Sequence, residues 1–213
     1  DVLNTLLGKG GFLDDYPYKG RYGVFVRSSY PHARILGIDV SKAINEGALV
    51  LTGKDFIART VGSTEREGAG LETLPIAVDK VRYQGEPVAL VIADDPYKAM
   101  DLAELIDVQY EPLKPVRNID DALRNESLVF EELGTNIVQS QVIEYGQMPN
   151  GPRELELNLY WSRSSGNPIE TFAAIVYPEG GGVTVISNLQ GGKSIVAEIE
   201  RSLGIPIKHI PVR

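Results

Sequence analysis

The sequence predicts an α+β fold in two pieces, and three observations carry that prediction. A strand, helix, strand succession with its punctuation complete runs through VRYQGEPVALVIADDPYKAMDLAELIDVQYEPL, residues 81–113. Alternating or unbroken apolar runs mark further strands before it, at residues 24–26, 36–40 and 49–52, and after it, at 172–177 and 183–186. Between these groups the periodicity fades over residues 125–139, which divides the chain into residues 1–124 and 134–213.

Taken in order, residues 1–20 are rich in glycine and tyrosine, GKGGFLDDYPYKG among them, and read as an entry segment of turns. Val24 and Val26 alternate around Phe25, and Leu36, Ile38 and Val40 alternate after the turn at Tyr30-Pro31, so each set forms a strand. A short helix over residues 41–46 is capped by Ser41 and stopped by Gly47. A strand over residues 49–52 follows, and then an exposed loop over residues 60–70, where glycine and charge replace apolar spacing.

The run of residues 88–93 is apolar throughout, bounded by Pro87 and by Asp94 and Asp95, as a strand covered on both faces is. Pro96 falls in the first turn of the next helix with Asp94 or Asp95 as its N-cap. Ala99, Leu102, Ala103 and Ile106 share the buried face of that helix. Val108 and Tyr110 then alternate with Gln109 and Glu111, giving a half-exposed strand; if it runs parallel to the first, the crossover is right-handed. A connector over residues 114–118 and a short helix over 120–124 close this part. In the second part Leu155, Leu157, Leu159 and Trp161 alternate with polar neighbours as a half-buried strand. A hairpin turns through residues 178–182, a helix from about Lys193 buries Ile195, Val196, Ile199 and Leu203 before Gly204 and Pro206, and a strand covers 207–212.

Composition excludes several classes. With 43% hydrophobic and 23% charged residues the chain is an ordinary globular one. A net charge of -8 argues against nucleic acid or an anionic membrane as partner, because either needs a basic face. The absence of cysteine excludes disulfides, thiolate catalysis and iron-sulfur clusters ligated by this chain. DVLNTLLGKGG has too short an apolar run for a signal peptide or a membrane span, so a cytoplasmic setting is expected.

Candidate chemistry is sparse. Gly192-Lys193-Ser194 lies between a strand and a helix as a phosphate loop does, but the position five before Gly192, where that loop needs glycine, is Ser187; a plain helix start is the favoured reading. His32 and His209 have no ligand at metal-binding spacing and read as surface or turn residues. Asp14-Asp15 reads as a turn and Asp94-Asp95 as a helix cap rather than as paired catalytic acids. Asn125-Glu126-Ser127 matches a glycosylation sequon by chance. The residues alone show no self-sufficient catalytic site, and no metal site.

The run from Val81 to Leu113, the stretch Val26-Arg27-Ser28-Ser29-Tyr30-Pro31-His32-Ala33-Arg34-Ile35, the opening Gly8-Lys9-Gly10-Gly11-Phe12-Leu13-Asp14-Asp15 and Leu51-Thr52-Gly53-Lys54-Asp55 together resemble the large subunit of the molybdenum hydroxylases. That family includes the xanthine and aldehyde oxidoreductases and the molybdenum carbon monoxide dehydrogenases. The resemblance implies an α/β hammerhead-like domain containing the βαβ unit, followed by the start of a molybdopterin-binding domain. It also places a site: the family's R-Q-x-H-x-P-L/M-E-P/T run appears as Arg163-Ser164-Ser165-Gly166-Asn167-Pro168-Ile169-Glu170-Thr171, with Ser164 in place of the glutamine and Gly166 in place of the histidine. The later S-S-T-Q-G-P run appears as Ser187-Asn188-Leu189-Gln190-Gly191-Gly192. By resemblance, Arg163, Ser164, Glu170 and Gln190 lie near the cofactor.

The family's G-G-G-F-G cofactor segment and its catalytic glutamate are not in this sequence, so the chain alone is expected to bind no cofactor. A completed complex is expected to hold a molybdenum cofactor of the molybdopterin cytosine dinucleotide type. The implied partners are a chain carrying the rest of the molybdopterin domain and iron-sulfur and FAD subunits; exposed strand edges also permit self-association. The alternative is a degenerate, non-catalytic paralogue serving as a binding or assembly module.

Overall fold

The computed structural model describes residues 2–55, 60–61, 72–146, 151, 153, 155–189 and 192–211. In chain order the elements are α1 (Val2–Leu6), a 3-10 turn (Leu13–Asp15), β1 (Tyr22–Arg27), β2 (Ala33–Asp39), α2 (Ser41–Asn45), β3 (Leu49–Thr52), β4 (Thr60–Val61), β5 (Glu72–Thr73), β6 (Lys80–Val81) and β7 (Pro87–Ala93). They continue as α3 (Pro96–Ala103), β8 (Asp107–Pro112), α4 (Ile119–Arg124), a second 3-10 turn (Glu131–Leu133), β9 (Ala174–Glu179), β10 (Gly182–Ser187), α5 (Gly192–Leu203) and β11 (Ile207–Pro211).

Strand β7 is the centre of the first part. It lies between β1 and β3 in an antiparallel sheet of order β1-β7-β3, with Val91 opposite both Val24 and Val50. Its apolar run is covered as predicted: Val88, Ala89 and Val91 are fully buried. Helix α3 lies on β1 and β7, where Ala99 and Leu102 join Val91, Ala93, Ala43 and Ala48 in one apolar cluster. The Asp95 carboxylate accepts the Lys98 amide at 3.0 Å and Pro96 occupies the first turn, so of the two candidate caps Asp95 is the one used. The helix ends at Ala103, and Ile106 packs against the same cluster from beyond its end.

The strand, helix, strand succession is formed, but its two strands do not share a sheet. Strand β8 pairs with β2 in a second antiparallel sheet of order β6-β2-β8. The condition for a parallel crossover therefore does not arise. Apolar spacing reports which face of a strand is covered, and the partner strand is chosen by hydrogen bonding to remote residues. Val108 and Tyr110 are half-buried with exposed neighbours, as their alternation predicted. They pack with Val26 and Ile35 on a second cluster of Ala33, Ala77, Val81 and Val88.

Helix α2 corrects the expected cap. Ser41 is its first residue, and the Asp39 carboxylate accepts both the Ser41 amide at 2.9 Å and its hydroxyl at 2.5 Å. Gly47 stops it with φ of +91°. Strands β4 and β5 pair at the rim of the charged loop read at residues 60–70; the rest of that loop lies outside the described residues.

Residues 114–136 fold back over β2 and β6. Lys80, nearly buried, donates to the Leu128 carbonyl at 3.0 Å and to Glu131 at 3.4 Å, and Arg82 stacks its guanidinium 4.7 Å from the Phe130 ring centre. Asn125, in the chance sequon, has φ of +53° and ends α4, while its side-chain oxygen accepts the Asn136 amide at 2.8 Å.

The second part departs most from expectation. Strands β9 and β10 form the expected hairpin, β11 lies parallel to β10, and α5 begins at Gly192. Residues 155–161, expected as a half-buried strand, form none: Leu159 is 91% and Trp161 90% exposed. An alternating segment becomes a strand only when a neighbour takes its backbone hydrogen bonds, and no described strand lies beside this one.

Candidate functional site

Arg163 and Ser164 lie on the irregular run that leads from Trp161 into β9, both solvent-exposed. Glu170, on the same run, turns inward. Its Oε1 accepts the backbone amide of Leu13 at 2.5 Å, a contact that joins the second part of the chain to the N-terminal 3-10 turn. That turn is itself held by Asp15, whose carboxylate accepts the Phe12 amide at 2.8 Å, and by the buried Leu13 side chain. Gln190 and Gly191 lie outside the described residues. Asn188, two positions before Gln190, bonds the run at both ends of its amide: its Nδ2 donates to the Thr171 carbonyl at 2.8 Å and its Oδ1 accepts the Ala173 amide at 3.2 Å.

The fold therefore brings together the end of the 163–173 run, the N-terminal turn and Asn188 at the end of β10, three places remote in sequence. A cleft of about 360 Å³ opens beside them, lined by Leu13, Tyr16, Tyr18, Arg21, Ala173 and Ile175 among others. The sequence reading missed Leu13 and Asn188 as site-forming residues. Both sit inside the quoted family runs, but their roles are backbone contacts that residue type does not announce.

Of the two histidines read as surface or turn residues, His32 lies in a bend but is buried, and His209 is half-buried on β11. Ser187 is fully buried and its Oγ lies 2.8 Å from His209 Nε2, a pairing between β10 and β11 with no hydroxyl presented to a reactant. His32 is 4% exposed; its Nδ1 donates to the Lys114 carbonyl at 2.7 Å and its Nε2 has no partner among the described residues. Burial holds the imidazole below its usual pKa. The Lys114 carbonyl opposes this, Lys80 and Arg82 add to it, and Glu131 opposes it. A lowered folded-state pKa means that stability is full above about pH 6.5 and is lost as pH falls through the folded value.

The unfolding midpoint in urea should therefore drop between neutral pH and pH 5, and His32→Asn, which keeps an N–H donor, should flatten that drop. An equal drop in wild type and variant would overturn the assignment. Glu86, whose carboxyl burial raises, works in the opposite sense, since its protonated form favours the fold as pH falls.

The donor set bears on what the site could hold. Among the described residues no group of three His, Asp or Glu side chains could bind a metal ion, and the chain has no cysteine. What the 163–173 run offers instead is a guanidinium and hydroxyls, donors suited to the oxygens of an anionic organic cofactor. Among the described residues no helix is long and apolar enough to cross a membrane.

Comparison with known proteins identifies the family. Residues 7–114 match the family described as "Aldehyde oxidase and xanthine dehydrogenase, a/b hammerhead domain". The chain is 40% identical over 109 residues to the carbon monoxide dehydrogenase large chain of Afipia carboxidovorans, covering 50% of this chain and 13% of that one. It is 30% identical over 222 residues to the nicotinate dehydrogenase large molybdopterin subunit of Eubacterium barkeri, covering 100% of this chain and 51% of that subunit. The chain thus spans about half or less of these relatives. Quinoline 2-oxidoreductase from Pseudomonas putida 86 superposes with a TM-score of 0.78 at 25% identity over 99% of this chain and 29% of that one. With its hammerhead residues matched over half its length, this chain belongs to the aldehyde oxidase and xanthine dehydrogenase family of molybdenum hydroxylases.

Proposed function

We propose that the chain is the N-terminal portion of the large, molybdopterin-carrying subunit of a carbon monoxide dehydrogenase/aldehyde-xanthine oxidoreductase type hydroxylase. Residues 1–124 serve as its hammerhead domain and residues 134–213 as the first part of its molybdopterin-binding domain. A polypeptide carrying the rest of that domain, continuous or separate, completes the site, and iron-sulfur and FAD subunits accept the electrons. The reading rests on one observation above all: the run bearing Arg163 and Ser164 and the segment before it lie open, with Leu155, Leu157, Leu159, Trp161 and Ile169 exposed along them. So many large apolar side chains in water imply a surface that further polypeptide covers.

In the completed protein Arg163, Ser164 and Gln190 donate to a cofactor of the molybdopterin cytosine dinucleotide type, while Glu170 fixes the run that carries the first two. The cofactor, when bound, supplies oxidative hydroxylation with a water-derived oxygen; the chain supplies position and polar contacts. Without the completing polypeptide the chain is inactive.

Trp161 is the single tryptophan, which makes the proposal testable. Co-expression with the remainder of a molybdopterin domain should shift its emission to the blue and bring molybdenum into the purified complex, and Arg163→Ala or Gln190→Ala should lower metal content or turnover. Unchanged emission together with no molybdenum would overturn the reading. The second reading, a non-catalytic assembly module, is favoured by Ser164 and Gly166 standing where the family has glutamine and histidine. It predicts the fluorescence shift without molybdenum.

A further inference from the structure

We infer that Glu170 and Asn188 are positioning residues, two clamps that tie the C-terminal end of the 163–173 run to the N-terminal turn and to the end of β10, and that Glu170 acts through its hydrogen bond to the Leu13 amide rather than through its charge at the cofactor. The inference rests on the reading above for its catalytic consequence, and on this chain alone for its geometry. Three observations support it.

The first is the direction of the carboxylate. Glu170 is the one residue between positions 161 and 173 that is not exposed, and its Oε1 is taken up by a backbone N–H at the start of the 3-10 turn Leu13–Asp15. The first amides of such a turn have no partner within it, so an acceptor from outside satisfies a group that burial of Leu13 would otherwise leave unpaired.

The second is the way Asn188 continues the sheet. The β9–β10 ladder ends at the pair Ser187 and Ala174. Beyond it the Asn188 side-chain amide, donor on Nδ2 and acceptor on Oδ1, bonds the Thr171 carbonyl and the Ala173 amide as a neighbouring strand would. The backbone on the C-terminal side of Glu170 is thereby held by the segment that leads to Gln190. The third is that Leu13 and Ala173, whose amides the two clamps hold, line the same cleft. Losing either clamp frees the run that carries Arg163 and Ser164.

Substitutions separate a tether from a charge. Glutamine keeps an acceptor oxygen at position 170 and removes the charge, whereas alanine removes both. In the full chain within its completed complex, Glu170→Ala should raise hydrogen exchange of the Leu13 amide about tenfold or more, as loss of a hydrogen bond to a charged group implies. Glu170→Gln should hold exchange within about threefold of wild type and retain molybdenum content and turnover. Asn188→Ala should raise exchange of the Ala173 amide by a similar factor while the amides of β7 stay protected. If Glu170→Gln loses as much turnover as Glu170→Ala, the carboxylate works by charge and the tether is overturned; unchanged Leu13 exchange in Glu170→Ala overturns it as well. Should Glu170→Ala not fold, the glutamine and Asn188 variants decide alone. Because exchange needs no cofactor, a complex that lacks molybdenum yet shows the expected exchange pattern refutes the proposed function and leaves the clamps standing.

Discussion

Val91→Asp should leave the hammerhead domain without a stable core. Val91 is fully buried at the middle of the central strand, opposite Val24 and Val50 and against Ala43, Ala93, Ala99 and Leu102. An aspartate there has no polar partner within the cluster, and an ionised carboxylate without one costs several kcal/mol even after the site relaxes or the group takes up a proton. Against a total stability of about 5–15 kcal/mol for a typical domain, a loss of about 4 kcal/mol or more removes most of the margin. Val91→Ala is the milder comparison, with about 2 kcal/mol expected from two lost methyl groups and the space they leave. Urea unfolding followed by circular dichroism measures both. A Val91→Asp protein with the wild-type midpoint would contradict the placement of β7 at the core.

Gly53→Ala should cost about 2–3 kcal/mol, at the upper end of what one added methyl costs in a packed interior. A Cβ at this position would lie 2.7 Å from the carbonyl oxygens of both Ile76 and Ala77 and 2.7 Å from Val78 Cγ2. Two of these three neighbours are backbone, so no rotamer change relieves the overlap; the chain at 76–77 must move, and Ile76 and Ala77 are themselves buried. The same contacts explain the Leu51-Thr52-Gly53-Lys54-Asp55 run. Asp55 folds back to accept the Thr52 amide at 2.7 Å and its hydroxyl at 2.8 Å, and these two bonds hold its carboxyl below the usual range. The turn they make passes Gly53 directly against the 76–77 backbone. Thermal unfolding of Gly53→Ala measures the cost, and a midpoint equal to wild type would show that the approach is looser than described.

Much of the first part was legible in the sequence because its signals are local. The apolar run of β7, the Asp95 cap with Pro96, and the stop at Gly47 each depend on residues within one turn or one strand of each other. The same holds for the hairpin between β9 and β10 and for the helix that begins at Gly192. The candidate site was legible only as residue types in family order. Glu170 could be picked out from the Pro168-Ile169-Glu170-Thr171 run, yet nothing in that run says that its carboxylate meets an amide at position 13. Asn188 likewise appeared as one letter in a quoted run, and its two-ended bond to Thr171 and Ala173 is visible only once the strands are side by side.

By itself, then, the sequence determined which segments become strands and helices around β7, which residues cap them, and the family to which the chain belongs. Tertiary structure decided which sheet receives β8, that His32 is buried rather than exposed, that residues 155–161 form no strand, and where Glu170 points. The division has a physical reason. Periodicity and capping follow from backbone geometry over a few residues, whereas strand pairing, burial of a polar ring and the partner of a carboxylate depend on groups brought near by closing long loops. For residues 155–161 the alternating pattern supplies an apolar face, and only a neighbouring chain segment can supply the hydrogen bonds that would make it a strand.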